Sequence, residues 1–107
     1  MNKVLIRIVF IFLTFNSITA FSQAVDENLV KLADEMYGFG DKKDALGVYL
    51  QAIEMNPENT TANFMAGKCY LETIQKELSV NYLQKAYKLN AEVAPDILYM
   101  ICLLYTS

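Results

Sequence analysis

Apolar side chains recur along this chain at the spacing of one face of an α-helix. Positions i, i+3, i+4 and i+7 fall on the same side of a helix, where they can face a common core. Two such stripes are formed by Leu29, Leu32, Ala33 and Met36, and by Ala45, Tyr49, Ala52 and Ile53. The pattern predicts an all-α fold.

Glycine, acidic and proline residues mark where the predicted helices begin and end. Gly38 and Gly40 break the chain between the two stripes, because glycine accepts the left-handed backbone found at helix ends. Asp41 follows at the start of the next helix, where exposed backbone N–H groups favour negative charge. Asn56-Pro57 is predicted to end that helix, since the residue before a proline is pushed out of the helical conformation.

When the sequence is aligned with itself at one fixed offset, residues of similar size and polarity coincide. Small residues fall on small ones, bulky residues on bulky ones, and Asn56 on Asn90. The other pairs are Ala33 with Gly67, Met36 with Tyr70, Tyr37 with Leu71, Ala45 with Ser79, Tyr49 with Leu83, Ala52 with Ala86 and Met55 with Leu89. The offset is a period of 34, and such a period with two helices per unit is the signature of tetratricopeptide repeats.

The sequence resembles the tetratricopeptide family from Asp26 to Ile101. Its units would be 26–59, 60–93 and the truncated start of a third at 94–101. Family consensus positions are occupied by Leu32, Ala33, Gly40, Asp41, Ala45, Tyr49, Ala52, Pro57 and Asn59, and in the second unit by Gly67, Tyr70, Ser79, Ala86 and Leu89. The second unit departs from the family at Asn63, where an aromatic residue is usual, and at Ala91, where proline is usual. The resemblance implies a helix-turn-helix solenoid of about two and a half repeats.

The small residues have a packing role in such a solenoid. Ala33 and Gly67 would let the second helix of a unit approach the first closely. The small residues of the second helices would let bulky side chains pack between neighbours; they are Ala45, Ala52, Ser79 and Ala86. A bulky residue at Ala52 is expected to overpack the contact at a cost of roughly 1–3 kcal/mol. An ordinary bundle of helical hairpins is the alternative, although it does not require the repeat register.

Residues 1–22 have the composition of a secretory signal peptide. The basic residues Lys3 and Arg7 precede an apolar run from Ile8 to Phe15, and small residues at the end of the segment predict cleavage after Ser22. The run is shorter than the roughly 20 apolar residues of a membrane-spanning helix. An uncleaved anchoring helix is the alternative.

The last six residues, Cys102 to Ser107, match the translation of a transposase-end adapter used in sequencing libraries. We therefore expect 102–107 to be an adapter-derived tail, and a natural end of the chain is the alternative. A repeat buries its apolar face only against its neighbours, so about three repeats are needed for stability. An uncapped third unit is accordingly expected to self-associate through its open end.

The charge of the chain disfavours some classes of partner. Nine basic and twelve acidic residues give the whole chain a formal charge of −3. Loss of residues 1–22 leaves seven basic and twelve acidic residues, a formal charge of −5 with no arginine. Nucleic-acid binding depends on basic residues that neutralise phosphates, so we expect no nucleic-acid partner.

The sequence lacks the residue combinations and spacings of common catalytic and metal sites. There is no histidine, so triads that use histidine are excluded. The acidic residues lack the spacing of a calcium loop, and pairs such as Asp26-Glu27 are interpreted as solvated helix starts. Cys69 lies among apolar residues and is interpreted as a core residue. We expect no catalytic residue, no metal site and no cofactor.

Family resemblance implies that the first helix of each unit lines a concave groove for peptides or partner proteins. The predicted groove residues are Val30, Asp34 and Tyr37 from the first unit and Phe64, Lys68 and Leu71 from the second, with Glu27, Lys31, Thr61, Met65, Glu72, Leu98 and Tyr99 beside them. Asp34 and Lys68 stand where the carboxylate-clamping relatives have asparagine, so that clamp is absent. A mixed apolar groove suits an extended or helical peptide. For any single apolar member, packing between helices is an equal alternative.

A signal peptide followed at once by these repeats also resembles the N-terminal part of Gram-negative OmpA-like envelope proteins. The resemblance implies a non-catalytic protein-interaction scaffold, exported to the periplasm or the outer membrane. The full-length protein would associate with the outer membrane or peptidoglycan, and its partner would be a protein or peptide. One alternative is an accessory repeat arm of an exported enzyme whose catalytic domain is missing from this fragment. Another is a structural spacer without a ligand.

Overall fold

The computed structural model describes residues 24–73 and 75–106, and most of these are helical. A first helix, α1, covers residues 24–38. The helices that follow are α2 (Lys42–Met55), α3 (Thr60–Leu71), α4 (Lys76–Leu89) and α5 (Ile97–Thr106). The described residues contain no β-strand, which confirms the predicted all-α class.

The two ends of the chain bear on two of the predictions. The predicted signal peptide, residues 1–22, lies outside the described residues. Of the predicted adapter-derived tail, residues 102–106 form the second half of α5. None of the helices in the described part of the chain is long and apolar enough to cross a membrane.

Buried apolar residues form two groups, which we call the first core and the second core. The first core joins α1, α2 and α3, with Tyr82 of α4 packed against it, and the second joins α4 and α5, with Phe64 of α3 packed against it. The first core consists of Val30, Ala33, Ala45, Tyr49, Ala52, Ala62, Ala66 and Cys69, and the second of Leu83, Ala86, Ala94 and Ile97. Contacts between α2 and α3, α3 and α4, and α4 and α5 show that helices pack against their neighbours in sequence.

Small residues lie where the helices approach one another. The four that the sequence singles out on α2 and α4 are fully buried; they are Ala45, Ala52, Ser79 and Ala86. The contact between α3 and α4 is tightest at Gly67. A Cβ atom placed there would lie 2.8 Å from Cγ and Cδ2 of Leu83 and 3.2 Å from its backbone nitrogen. A side chain at this position would therefore require a shift of Leu83 or of the α4 backbone.

The connections after α2 and α4 share one geometry, one repeat period apart. Asn56 has φ −145° and ψ 96°, and Asn90 has φ −156° and ψ 105°. Each asparagine N–H donates to the carbonyl four residues earlier at 2.9 Å. Each Oδ1 accepts from the N–H two residues later, at 3.1 Å from Glu58 and 3.0 Å from Glu92. α2 ends before Pro57, as predicted, and α4 ends in the same geometry without a proline. The side-chain hydrogen bond of the asparagine is therefore the feature that the two helix ends share.

The turn between α1 and α2 depends on glycine. Gly40 has φ +89°, and its N–H donates to the carbonyl of Tyr37 at 3.0 Å. The N–H of Asp41 donates to the carbonyl of Met36, also at 3.0 Å. This pair of hydrogen bonds is the Schellman motif, which needs a left-handed residue. The turn brings the start of α2 beside the end of α1, and therefore Lys42 beside Tyr37.

Candidate functional site

Two helices of the fold, α1 and α3, lie side by side with the same direction. Asp26, near the start of the described α1, contacts Asn59 at the start of α3, and Tyr37 near the end of α1 contacts Glu72 just after α3. The surface between them, which we call the α1–α3 face, therefore runs from the Asp26 end to the Tyr37 end. It contains the groove residues predicted on α1 and, of those predicted on α3, Thr61 and Lys68.

The Tyr37 end of the face is a cluster of one aromatic ring and three charged groups. The Tyr37 hydroxyl donates to both carboxylate oxygens of Glu72, at 3.0 Å each. The Lys42 ammonium pairs with Glu72 Oε2 at 2.9 Å. The Nζ atoms of Lys42 and Lys68 each lie 5.5 Å from the centre of the Tyr37 ring. Each such cation–π contact is worth about 0.5–1 kcal/mol at an exposed site.

This cluster raises the pKa of Tyr37. Burial, the hydrogen bond to Glu72 and the negative charge of Glu72 raise it to about 12. The phenol therefore stays a hydrogen-bond donor to a higher pH than an ordinary tyrosine, whose pKa is 10.0. The sequence predicted Tyr37, Lys68 and Glu72 on this face but missed Lys42, whose place beside the ring follows from the Gly40 turn.

Asp34, in the middle of α1, has a structural partner. The hydroxyl of Tyr49, which is fully buried, donates to Asp34 Oδ1, although Asp34 itself is exposed. Burial and the bond to Asp34 raise the pKa of the Tyr49 phenol. This bond joins α1 to α2, so Asp34 both lines the face and holds the helix pair together.

An open groove lies at the Asp26 end, with a volume of about 590 Å³. Its lining consists of Asp26, Glu27, Val30, Lys31, Asp34, Asn56, Asn59, Thr60 and Thr61. The groove thus combines one apolar side chain with carboxylates, one ammonium group, amides and hydroxyls. Its volume falls within the ~300–1,000 Å³ typical of ligand pockets.

Asp26 is the unexpected member of this lining. Only 1% of it is exposed, whereas the interpretation as a solvated helix start required an exposed carboxylate. Its Oδ2 accepts from Nδ2 of Asn56 at 3.1 Å and from Nδ2 of Asn59 at 2.7 Å. Its Oδ1 is also buried, and within residues 24–73 and 75–106 no group donates a hydrogen bond to it. Asp26 is buried because the end of α2 and the start of α3 converge on α1, and its neighbour Glu27 stays exposed.

The other predicted groove residues are spread between the face and the cores. Val30 belongs to the first core and also lines the groove. Phe64 packs against the second core, as expected for an interhelical residue. Leu71 and Lys68 are half-buried. The structure therefore brings Val30 and Asp34 together at one end and Tyr37 and Lys68 at the other, and directs Phe64 to the core.

The described residues offer little for covalent or metal chemistry. Among residues 24–73 and 75–106, no three acidic or cysteine side chains converge into a possible metal site. Cys69 is fully buried, and burial, with a further contribution from the charge of Glu72, raises the pKa of its thiol to about 11. A protonated and inaccessible thiol is a poor nucleophile, so Cys69 serves as a core residue.

Comparison with protein-family models finds none that matches this chain, and no curated protein is significantly similar to it. Any function proposed for the chain therefore rests on its own residues, and above all on those of the α1–α3 face.

Proposed function

We propose that this chain is a non-catalytic protein-interaction module of the tetratricopeptide type. In this proposal α1 with α2 and α3 with α4 are successive repeats, and α5 is the first helix of a third. The recurrence of the Asn56 connection at Asn90, with the same hydrogen bonds one period later, is the observation that carries it. Complete burial of both Tyr49 and Leu83, which are separated by the same period, supports this register. Repeats of this kind pack only against their neighbours and leave one continuous face for a partner.

The partner is proposed to be a peptide that lies along the α1–α3 face. The groove at the Asp26 end can accept side chains, and the Tyr37 end offers a ring flanked by two ammonium groups. One of these ammonium groups belongs to Lys68 of α3, which is half-buried. An extended or helical segment has the shape that spans such a surface, with anchors at both ends.

Peptide selection on the full chain tests the proposal. Peptides that bind the full chain are selected from a random peptide library displayed on phage or another carrier. The selected peptides are then synthesised, and their affinities are measured by fluorescence anisotropy. Lys68→Ala is expected to weaken binding by about 5- to 30-fold, the loss of roughly 1–2 kcal/mol that anchor residues give. Tyr37→Phe keeps the ring, removes the hydroxyl bound to Glu72 and is expected to give a smaller loss.

The matched control is Lys43→Ala, which removes an exposed lysine from the first turn of α2. It is expected to leave affinity within about twofold, as peripheral positions do. Equal affinities of the Lys68→Ala and Lys43→Ala proteins for every selected peptide would exclude this face as the binding site. A library that gives no binding peptide would favour the structural-spacer hypothesis.

We also propose that the chain is exported to the envelope of a Gram-negative cell. The basic start, apolar run and small residues within 1–22 support this proposal. The test is a fusion of the chain to a reporter that is active only in the periplasm, followed by N-terminal sequencing of the product. Export predicts an active reporter and a first residue of Gln23. An inactive fusion that keeps Met1 would refute it.

A further inference from the structure

The groove at the Asp26 end holds a carboxylate whose hydrogen bonding is half complete. Asn56 and Asn59 hold Asp26 Oδ2 through their amide groups at 3.1 and 2.7 Å, and these two bonds fix the orientation of the carboxylate. Oδ1 has no donor in the described part of the chain, although the side chain is only 1% exposed and lines the groove. Buried polar atoms are nearly always satisfied, so one without a partner marks a place where a donor is missing.

The surroundings of this atom favour a positively charged donor. Besides Asp26, the groove is lined by the carboxylates of Glu27 and Asp34, and Lys31 is the one ammonium group among its lining residues. A cation that enters the groove therefore meets three carboxylates against one ammonium. An organic cation also brings its own N–H groups, and a hydrogen-bond donor is what Asp26 Oδ1 lacks.

We propose that the groove binds a basic side chain of a peptide, with Asp26 Oδ1 as the acceptor for its ammonium or guanidinium group. This inference rests on the proposed function, since it assigns a residue class to the peptide that the α1–α3 face would bind. The hydroxyls of Thr60 and Thr61, at the start of α3, supply further acceptors, and Val30 can pack against the methylene chain of the guest. A lysine ammonium, with three donors, matches such a set of acceptors.

The site belongs to the first repeat unit and does not recur in the second. One period after Asp26 the chain has Thr60, and one period after Asn59 it has Val93. Val93 packs against the second core, and Ala94 beside it is 7% exposed. The connection after α4 is therefore closed by apolar groups. The repeat itself does not require a carboxylate at the connection after α2.

The test is a titration of the ¹⁵N-labelled full chain, monitored by NMR, with short acetylated and amidated peptides. The first probe is a heptapeptide of six alanines around a central lysine. In the second probe, norleucine replaces lysine and keeps the carbon chain without the ammonium group. The lysine peptide is expected to shift the amides of Glu27, Asn59 and Thr60 and to bind at least about tenfold more tightly than the norleucine peptide.

Two further probes separate the possible sources of the cation. A central-arginine peptide tests a guanidinium group, and unacetylated heptaalanine amide tests a free N-terminal amine. Binding of the lysine or arginine peptide supports the proposal. Binding of the free amine alone would overturn it in favour of recognition of a peptide N-terminus.

Asp26→Asn removes the negative charge and keeps the size of the side chain. It is expected to abolish the preference for lysine over norleucine, whereas Asp96→Asn, at an exposed aspartate outside the groove, is expected to retain it. Circular dichroism checks that both variants fold. If Asp26→Asn does not fold, the lysine preference of the unsubstituted chain and the position of the shifted amides still decide the question.

The two proposals can fail separately. If library-selected peptides bind the α1–α3 face while lysine gains nothing over norleucine there, the cation site is refuted and the peptide-binding face stands. If lysine binds equally well after Asp26→Asn, the acceptor is misassigned and the inference is overturned. If neither selected nor synthetic peptides bind this face, both proposals fall.

Discussion

Gly67→Ala tests the close approach of α3 and α4 that the repeat pattern anticipated. The new Cβ atom would lie 2.8 Å from two side-chain carbons of Leu83 and 3.2 Å from its backbone nitrogen. The side chain of Leu83 is fully buried, so either this side chain must repack or the α4 backbone must shift. Overpacking of this kind costs roughly 1–3 kcal/mol.

The intrinsic helix preference of alanine works in the opposite direction. Alanine stabilises a helix interior by about 0.8–1.0 kcal/mol relative to glycine, which reduces the net effect of the substitution. Gly47→Ala, in the interior of α2, provides the same gain without the clash, because no atom lies within 4 Å of a Cβ there. The difference between the two variants therefore isolates the packing cost of about 1–3 kcal/mol.

Urea unfolding of the full chain, followed by circular dichroism, measures this difference. Gly47→Ala is expected to raise the midpoint, and Gly67→Ala to leave it unchanged or lower it, with a similar slope for both. In a Leu83→Ala background, which itself costs about 2–5 kcal/mol, Gly67→Ala should become neutral or stabilising. Equal stabilisation by the two glycine substitutions in the unsubstituted chain would refute the close contact between α3 and α4.

Three further measurements examine other parts of the fold. The pKa of Tyr37 is raised from 10.0 to about 12, so the contribution of the protonated phenol to the stability of the fold is complete below pH 10 and is lost as the pH rises towards 12. NMR titration of labelled tyrosines measures this pKa, and an unshifted value would contradict the cluster around Tyr37. Cys69, with its pKa raised to about 11, should react with a thiol reagent at pH 8 at least about 100-fold more slowly than exposed Cys102. Equal reaction rates in the folded chain would contradict the burial of Cys69. Ala91→Pro should stabilise the chain by about 0.4–1 kcal/mol in thermal unfolding, because Pro57 occupies the matching place in the connection after α2. A loss of stability would show that the connections after α2 and α4 differ.

Helices were the most predictable feature, because burial repeats with the helical period in this chain. Ala45, Tyr49 and Ala52 fall on one face of α2 by their spacing alone, and all three are fully buried. The predicted end of α2 at Asn56-Pro57 is confirmed. The second connection reaches the same geometry through Asn90 without a proline, and the recurrence of asparagine one period later is the sequence signal for it.

The candidate site was less predictable, because it depends on where separate segments meet. Asp26 has the sequence context of an exposed helix start, and only the convergence of Asn56 and Asn59 on it makes it a buried group. Lys42 is brought to Tyr37 by the left-handed turn at Gly40 rather than by helical spacing. The carboxylate and the two amides were all present in the sequence, but neither the helical period nor the repeat period connects Asp26 with the asparagines that bury it.

The division of the apolar interior into two cores that share α3 has a consequence for local opening. Residues that pack on one core only can separate from the chain without disturbing the other, so the free energy of opening should differ along the molecule. Amide hydrogens of α3 and α4, which pack against each other and on both cores, should exchange most slowly, and those of α5 most rapidly. Because the α1–α3 face is built on the first core, it should persist while α5 detaches from the rest of the chain and packs against it again. Binding competence and full helical order would then be lost at different denaturant concentrations.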